Sequence, residues 1–118
     1  SEDAQVSSAE SQLQTVRNQI ELFRVRNNGI APALDDLFDG DAADPLTEPA
    51  GGWTSIVNAD YLRVPPVNPR TGEFTVAAGT EAPTDPVEAG DDGWIYDEDT
   101  GRIWMNGFDE VEGEWFTP

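Results

Sequence analysis

The 118-residue sequence lacks two residue types that carry much of protein chemistry, cysteine and histidine. Without cysteine, the chain forms no disulfide and offers no thiolate as a metal ligand or nucleophile. Without histidine, it lacks the commonest general base and the usual zinc ligand. The two absences therefore exclude enzymes that depend on either residue, and they exclude structural zinc modules.

Lysine is also absent, and the six basic residues are all arginine, against 24 acidic residues and a net charge of −18. So acidic a surface repels nucleic acid and anionic lipid, and we expect no nucleic-acid partner. Salt screens the self-repulsion of such a chain. The composition therefore predicts tolerance of high salt and favours a saline or divalent-rich extracellular setting.

The sequence also contains no run of eighteen apolar residues and no signal-peptide pattern. Its length suits one small domain, which we place over residues 1–118. Because the chain opens directly in a helical pattern, we expect that a segment upstream of it has been lost.

The dominant pattern in the sequence is helical and runs from Asp3 to Asn28. It contains neither proline nor glycine, and its apolar residues recur every three or four positions, which predicts one continuous stripe. The stripe consists of Val6, Ala9, Leu13, Val16, Ile20 and Phe23. Asn28-Gly29 is a good helix stop. At 1.5 Å per residue the helix is about 35–40 Å long, so we expect its mostly polar first turns to project.

Short apolar groups and proline-rich stretches follow the helix. Leu34, Leu37 and Phe38 predict a helix of one or two turns, and residues 39–52 read as a loop rich in glycine, proline and aspartate. Residues 53–62 predict a further short helix. Prolines make residues 63–72 an extended segment with a turn.

The last third of the chain has the patterns of strands. Residues 73–78 are a strand candidate, and residues 93–106 predict a hairpin with Gly101 at positive φ. Residues 107–118 offer an edge segment through Val111, Trp115 and Phe116. We therefore expect an α+β fold, in which a long N-terminal helix packs on a small antiparallel β-sheet.

Four stretches, in this order, resemble the type IV pilin-like proteins, and most closely the major pseudopilins of type II secretion. They are Arg17–Arg24 (RNQIELFR), Asn28–Pro32 (NGIAP) with Leu34–Leu37, Tyr61–Pro65 with Asn68-Pro69 and Thr71-Gly72, and Gly93–Asp97 with Thr100-Gly101. The resemblance covers most of the chain. It implies a pilin-like fold, in which residues 1–28 are the exposed half of a longer helix and residues 29–118 are a globular head.

The resemblance also implies a function and a location. The protein would be a structural subunit of a pseudopilus or type IV pilus-like filament, and not an enzyme. A cleaved leader and an apolar helix would precede this soluble part and anchor the precursor in the inner membrane, with a periplasmic or extracellular head. Its partners would be copies of itself, related subunits and the secretion machinery. On the visible helix, we expect the subunit interface to involve Val6, Ala9, Leu22 and Val25.

A calcium site is an alternative use of the acidic residues. The resemblance implies calcium in a loop near the final strands, where Asp91, Asp92 and Asp97 lie, and carboxylate oxygens suit that ion. The pattern Asp97-x-Asp99-x-Gly101 nevertheless departs from the EF-hand loop, which needs an oxygen ligand at its fifth place and glycine at its sixth. We favour a solvated acidic surface and assign no metal ligand.

Aromatic and acidic residues allow two further interpretations. Trp53, Trp94, Trp104 and Trp115 could form a glycan-binding platform, although aromatic residues in strands are more often core. Paired carboxylates could serve a glycosidase, but chance pairs are expected among 24 acids. The alternative function is therefore an extracellular calcium- or glycan-binding surface module with a pilin-like fold.

Overall fold

The computed structural model describes residues 2–32, 62 and 64–118. The two short helices expected over residues 34–38 and 53–62, the loop between them and Trp53 lie outside these described residues, with Leu62 the one exception. Residues 64–72 form no helix or strand and include a turn at residues 69–71, as the prolines predicted.

The first element is the predicted helix α1, which runs from Glu2 to Arg26. Two acidic residues occupy its first turn and two arginines its last, which suits the helix dipole at both ends. Asn28 and Gly29 then adopt positive φ angles of 59° and 80°. The Gly29 N–H donates to the Arg24 carbonyl at 2.7 Å, which satisfies a carbonyl of the last turn. The predicted stop is confirmed.

Three short strands form the main sheet in the order β1-β2-β3. They are β1 (Val76–Ala78), β2 (Trp94–Asp97) and β3 (Arg102–Met105). The hairpin of β2 and β3 is antiparallel and turns at Gly101, whose φ is 77°, as predicted. β1, however, pairs in parallel with β2, so the expectation of a purely antiparallel sheet is wrong. Because β1 and β2 run in the same direction, the irregular connection over residues 79–93 must bring the chain back to the end of the sheet where β1 begins. A tight turn cannot do this.

The C-terminal residues form a second, two-stranded sheet rather than an edge of the first. β4 (Phe108–Asp109) and β5 (Glu114–Trp115) pair with each other in antiparallel fashion. Trp115 is buried as the pattern suggested, whereas Val111, at the tip of the turn, is 92% exposed.

The core lies between α1 and the two sheets. Ala9, Leu13, Val16 and Ile20 are buried on the helix, and Val6 and Phe23 are partly buried against the same cluster. The sheets contribute Val76, Trp94, Tyr96, Ile103, Met105, Phe108 and Trp115. The whole predicted stripe therefore faces the core, and the α+β class is confirmed.

The first turns of α1 pack on the domain along one side, whereas we expected them to project; Glu2, Asp3 and Ala4 are exposed. Ala9 has no exposed surface, and Gln5 accepts a hydrogen bond from the Arg70 guanidinium at 3.1 Å. Residues 68–72 and the second sheet cover this part of the helix because the stripe already begins at Val6. No helix in the described ranges is both long and apolar enough to cross a membrane.

Candidate functional site

The four residues expected at a subunit interface divide into two pairs. Leu22 and Val25 are 37% and 77% exposed and lie three positions apart on α1, which places them on one face of the helix. Val6 is half-buried and Ala9 is completely buried. The expectation that Ala9 offers spare apolar surface is therefore wrong, because this methyl group packs inside the domain. Ile30, which the sequence analysis missed, is 66% exposed just after the helix stop.

Arg17 joins the exposed side of α1 to both sheets. Its guanidinium makes a bidentate contact with Glu110 at 2.5 and 2.6 Å and donates to the Ile103 carbonyl at 2.7 Å. Both side chains are partly exposed, and surface ion pairs contribute only about 0–1 kcal/mol. The contact therefore matters for position more than for stability, since it holds the turn between β4 and β5 against the helix.

A groove of about 380 Å³ lies between α1 and the hairpin of β2 and β3. We call it the arginine groove, because three of the six arginines of the chain line it. These are Arg17, Arg24 and Arg102. Ile20, Ile103 and Trp104 lie at its floor, with exposed fractions of 1%, 0% and 9%. It thus combines apolar surface with a concentration of cations that is unusual for so acidic a chain.

Each arginine of the groove has an acidic partner on its own chain. Arg24 contacts Glu21 at 2.7 Å, and Arg102 lies 3.6 Å from Asp97 with its guanidinium 5.2 Å from the centre of the Trp104 ring. Together with the pair of Arg17 and Glu110, these contacts join three positive and three negative groups, whose charges cancel. The arginine groove is therefore close to neutral on a molecule whose net charge is −18.

Asp97 is a buried carboxylate at the end of β2. Burial raises its pKa, but hydrogen bonds from the Thr100 side chain and from the Asp99 and Thr100 backbone, together with the Arg102 charge, lower it more. The net result is a pKa below the ordinary value. Asp97 is thus used within the hairpin turn, where its side chain accepts the Asp99 N–H at 3.1 Å.

The other two calcium candidates serve similar local roles. Asp91 accepts the backbone N–H of Glu88 at 2.8 Å, and Asp92 accepts the Thr75 hydroxyl at 2.8 Å. Over the ranges that the structure describes, no three acidic side chains come together as ligands for a metal ion. The structure therefore does not unite Asp91, Asp92 and Asp97 in one site.

The tryptophans within the described residues belong to the core. Trp94, Trp104 and Trp115 are exposed by 0%, 9% and 2%, so none presents a flat face to a sugar. The Trp94 indole donates to the Pro66 carbonyl at 2.9 Å, and Trp115 packs edge-on against Phe108. For these three residues the glycan platform is wrong and the expectation of core packing is confirmed.

Comparison with protein-family models, with curated proteins and with solved structures finds no match to this chain.

Proposed function

We propose that this protein is a structural subunit of a pseudopilus or type IV pilus-like filament, most closely one that serves type II protein secretion. The observation that carries the proposal is the arrangement of α1. One face of this 25-residue helix is buried against the two small sheets, while Leu22 and Val25 on the helix are exposed. A filament of packed helices would use such residues, since intramolecular packing leaves them available.

The four stretches that resemble pseudopilins also support the proposal. Three of them contribute residues with defined structural roles: Ile20 is in the core, Asn68 and Thr71 are buried in a turn, and Gly101 has the positive φ of the hairpin. In this proposal the head faces the periplasm or the exterior, and an upstream apolar helix anchors the precursor in the inner membrane. Other copies, related subunits and the secretion machinery are the partners.

The proposal is tested by electron microscopy of material sheared from cells that carry the full-length gene and its secretion machinery. We expect filaments that contain the wild-type protein. We expect Val25→Asp to abolish them, because it places a charge on the exposed face of α1. Ala9→Asp is unsuitable for this purpose, since it would disrupt the core.

Val64→Asp is the matched control, because Val64 is 69% exposed, similar to Val25, but lies outside the helix. We expect Val64→Asp to leave filaments intact. If the processed wild-type protein never enters a polymer, even when overproduced, the filament proposal fails. If Val25→Asp and Val64→Asp both polymerise normally, the Val25 side of α1 is not the interface.

A further inference from the structure

The turn between β4 and β5 displays an apolar side chain with acidic neighbours. Val111 is the most exposed large apolar residue of the described part of the chain, at 92%. Glu110 and Glu112 flank it, and both are exposed. Its side chain contributes nothing to the core, so packing within one molecule does not explain an apolar residue there.

Three hydrogen bonds to Asp109 also define the conformation of this turn. The Asp109 carboxylate accepts the backbone N–H groups of Val111 and Glu112 at 3.0 and 3.2 Å. The Asp109 carbonyl accepts the Gly113 N–H at 2.8 Å. A preformed turn loses little conformational entropy when it binds, which favours its use as a contact.

We propose that the turn at Val111 of one copy of this protein docks in the arginine groove of a second copy. The valine would lie between the partly exposed side chains of Arg24 and Arg102, and Glu112 would approach their guanidinium groups. Charge favours this place over the rest of the surface. On a molecule of net charge −18, an acidic turn meets least repulsion where arginines balance the acids.

The described bonds leave part of each guanidinium available for such a contact. An arginine has five N–H donors. Among the described residues, Arg24 donates through Nε and Nη1, and Arg102 through Nε and Nη2. Each guanidinium therefore has N–H donors beyond those that these bonds use, and a carboxylate from a second copy would bind there.

The contact is small, and this fits a filament. One turn in one groove covers less than the roughly 1,200 Å² that a stable interface buries, so free copies should be monomeric at micromolar concentration. The proposal rests on the filament function, because neighbouring copies in a filament raise the effective concentration of the turn. Groove and turn are different surfaces, so the contact is heterologous and repeats from copy to copy instead of closing a dimer.

The absence of cysteine allows a direct test by disulfide cross-linking of purified protein at high micromolar concentration. A Val111→Cys protein with a size tag is mixed with a Thr100→Cys protein, because Thr100 lines the groove. We expect a mixed dimer. The control mixture replaces Val111→Cys with Val64→Cys, which is also exposed, and should give about tenfold less mixed dimer.

Charge reversal then distinguishes docking from random collision. We expect Arg24→Glu in the groove protein, or Glu112→Arg in the turn protein, to lower the yield about tenfold or more. Mixing the two reversed proteins should restore it, which also shows that both remain folded. Arg102→Glu provides a second reversal on the other wall of the groove.

Two results would overturn the proposal: a mixed dimer no more abundant than the Val64 control, or a yield that neither reversal lowers. Both readouts use purified protein and require no filament. Filaments in cells without this cross-link would therefore refute the groove contact alone. A specific cross-link without filaments would refute the filament function alone.

Discussion

The side chain of Asn68 uses its whole hydrogen-bonding capacity inside the protein. It is fully buried, and its amide nitrogen donates to the carbonyls of Gly93 and Asn106 at 2.9 and 3.0 Å. Its oxygen accepts the backbone N–H groups of Arg70 and Thr71 at 2.7 and 3.2 Å. One amide thus joins the proline-rich turn to the residue just before β2 and to the residue just after β3. These bonds keep the buried polar groups of that junction satisfied.

Asp97 gives a residue-scale prediction on pH. Its pKa in the folded protein lies below the ordinary value of 3.8, so the unfolded chain binds the proton more readily. The carboxylate therefore stabilises the fold at neutral pH, and this contribution is lost as the pH falls from about 4 through the lowered pKa. We expect Asp97→Asn to have a lower urea midpoint than wild type at pH 7, with the difference disappearing at acidic pH.

Asp85→Asn is the matched control for this measurement. It removes the same charge from an exposed loop residue that is remote in sequence from the hairpin turn. Its midpoint should stay close to that of the wild type, or rise slightly because the net charge falls. If the urea midpoint of Asp97→Asn lies below that of the wild type by the same amount at every pH, the prediction is contradicted. The loss of stability would then not depend on the ionisation of Asp97.

At the scale of elements, α1 is the part of the molecule on which the sheets pack. Ile20 is 1% exposed and is one of the four buried residues on its inner face. We expect Ile20→Ala to lower the free energy of unfolding by about 2–5 kcal/mol, through lost apolar contact and the cavity that remains. Leu22→Ala, two positions along the same helix but 37% exposed, should cost much less. Equal losses in chemical denaturation would show that the buried face is not where the structure places it.

The elements that sequence predicted are those whose signals are local. The stripe of α1 and the turn residues around Gly101 are patterns within a few positions, and both elements formed as expected. The parallel pairing of β1 with β2 was missed because it depends on how residues 79–93 return the chain, and they carry no helix or strand.

The candidate site was harder to predict, because several of its contacts join residues that are far apart in the sequence. Leu22 and Val25 could be identified as exposed because they lie off the apolar stripe of α1. The contact of Arg17 with Glu110 joins residues 93 positions apart, and no local pattern encodes it. Ala9 is buried, as its place on the apolar stripe predicts, and so it offers no surface for its expected role at the interface.

At the scale of the whole molecule, the excess of negative charge decides how stability depends on salt. The chain has 24 acidic residues against six arginines and a net charge of −18, so repulsion between its charges exceeds attraction. The compact state brings these charges closer together than the unfolded chain does. Sodium chloride shortens the Debye length from about 10 Å at 0.1 M to about 3 Å at 1 M.

We therefore expect the melting temperature to rise with sodium chloride, by several degrees for each kcal/mol of repulsion that is screened. Calcium chloride and magnesium chloride at equal concentration should have equal effects, because the two ions carry the same charge. A specific calcium site would separate them, since calcium accepts six to eight flexible oxygen ligands and magnesium requires an octahedron. A markedly larger rise with calcium than with magnesium in differential scanning calorimetry would contradict the solvated acidic surface. Substitution of Asp91 and Asp92 by asparagine would then show whether that loop holds the ion.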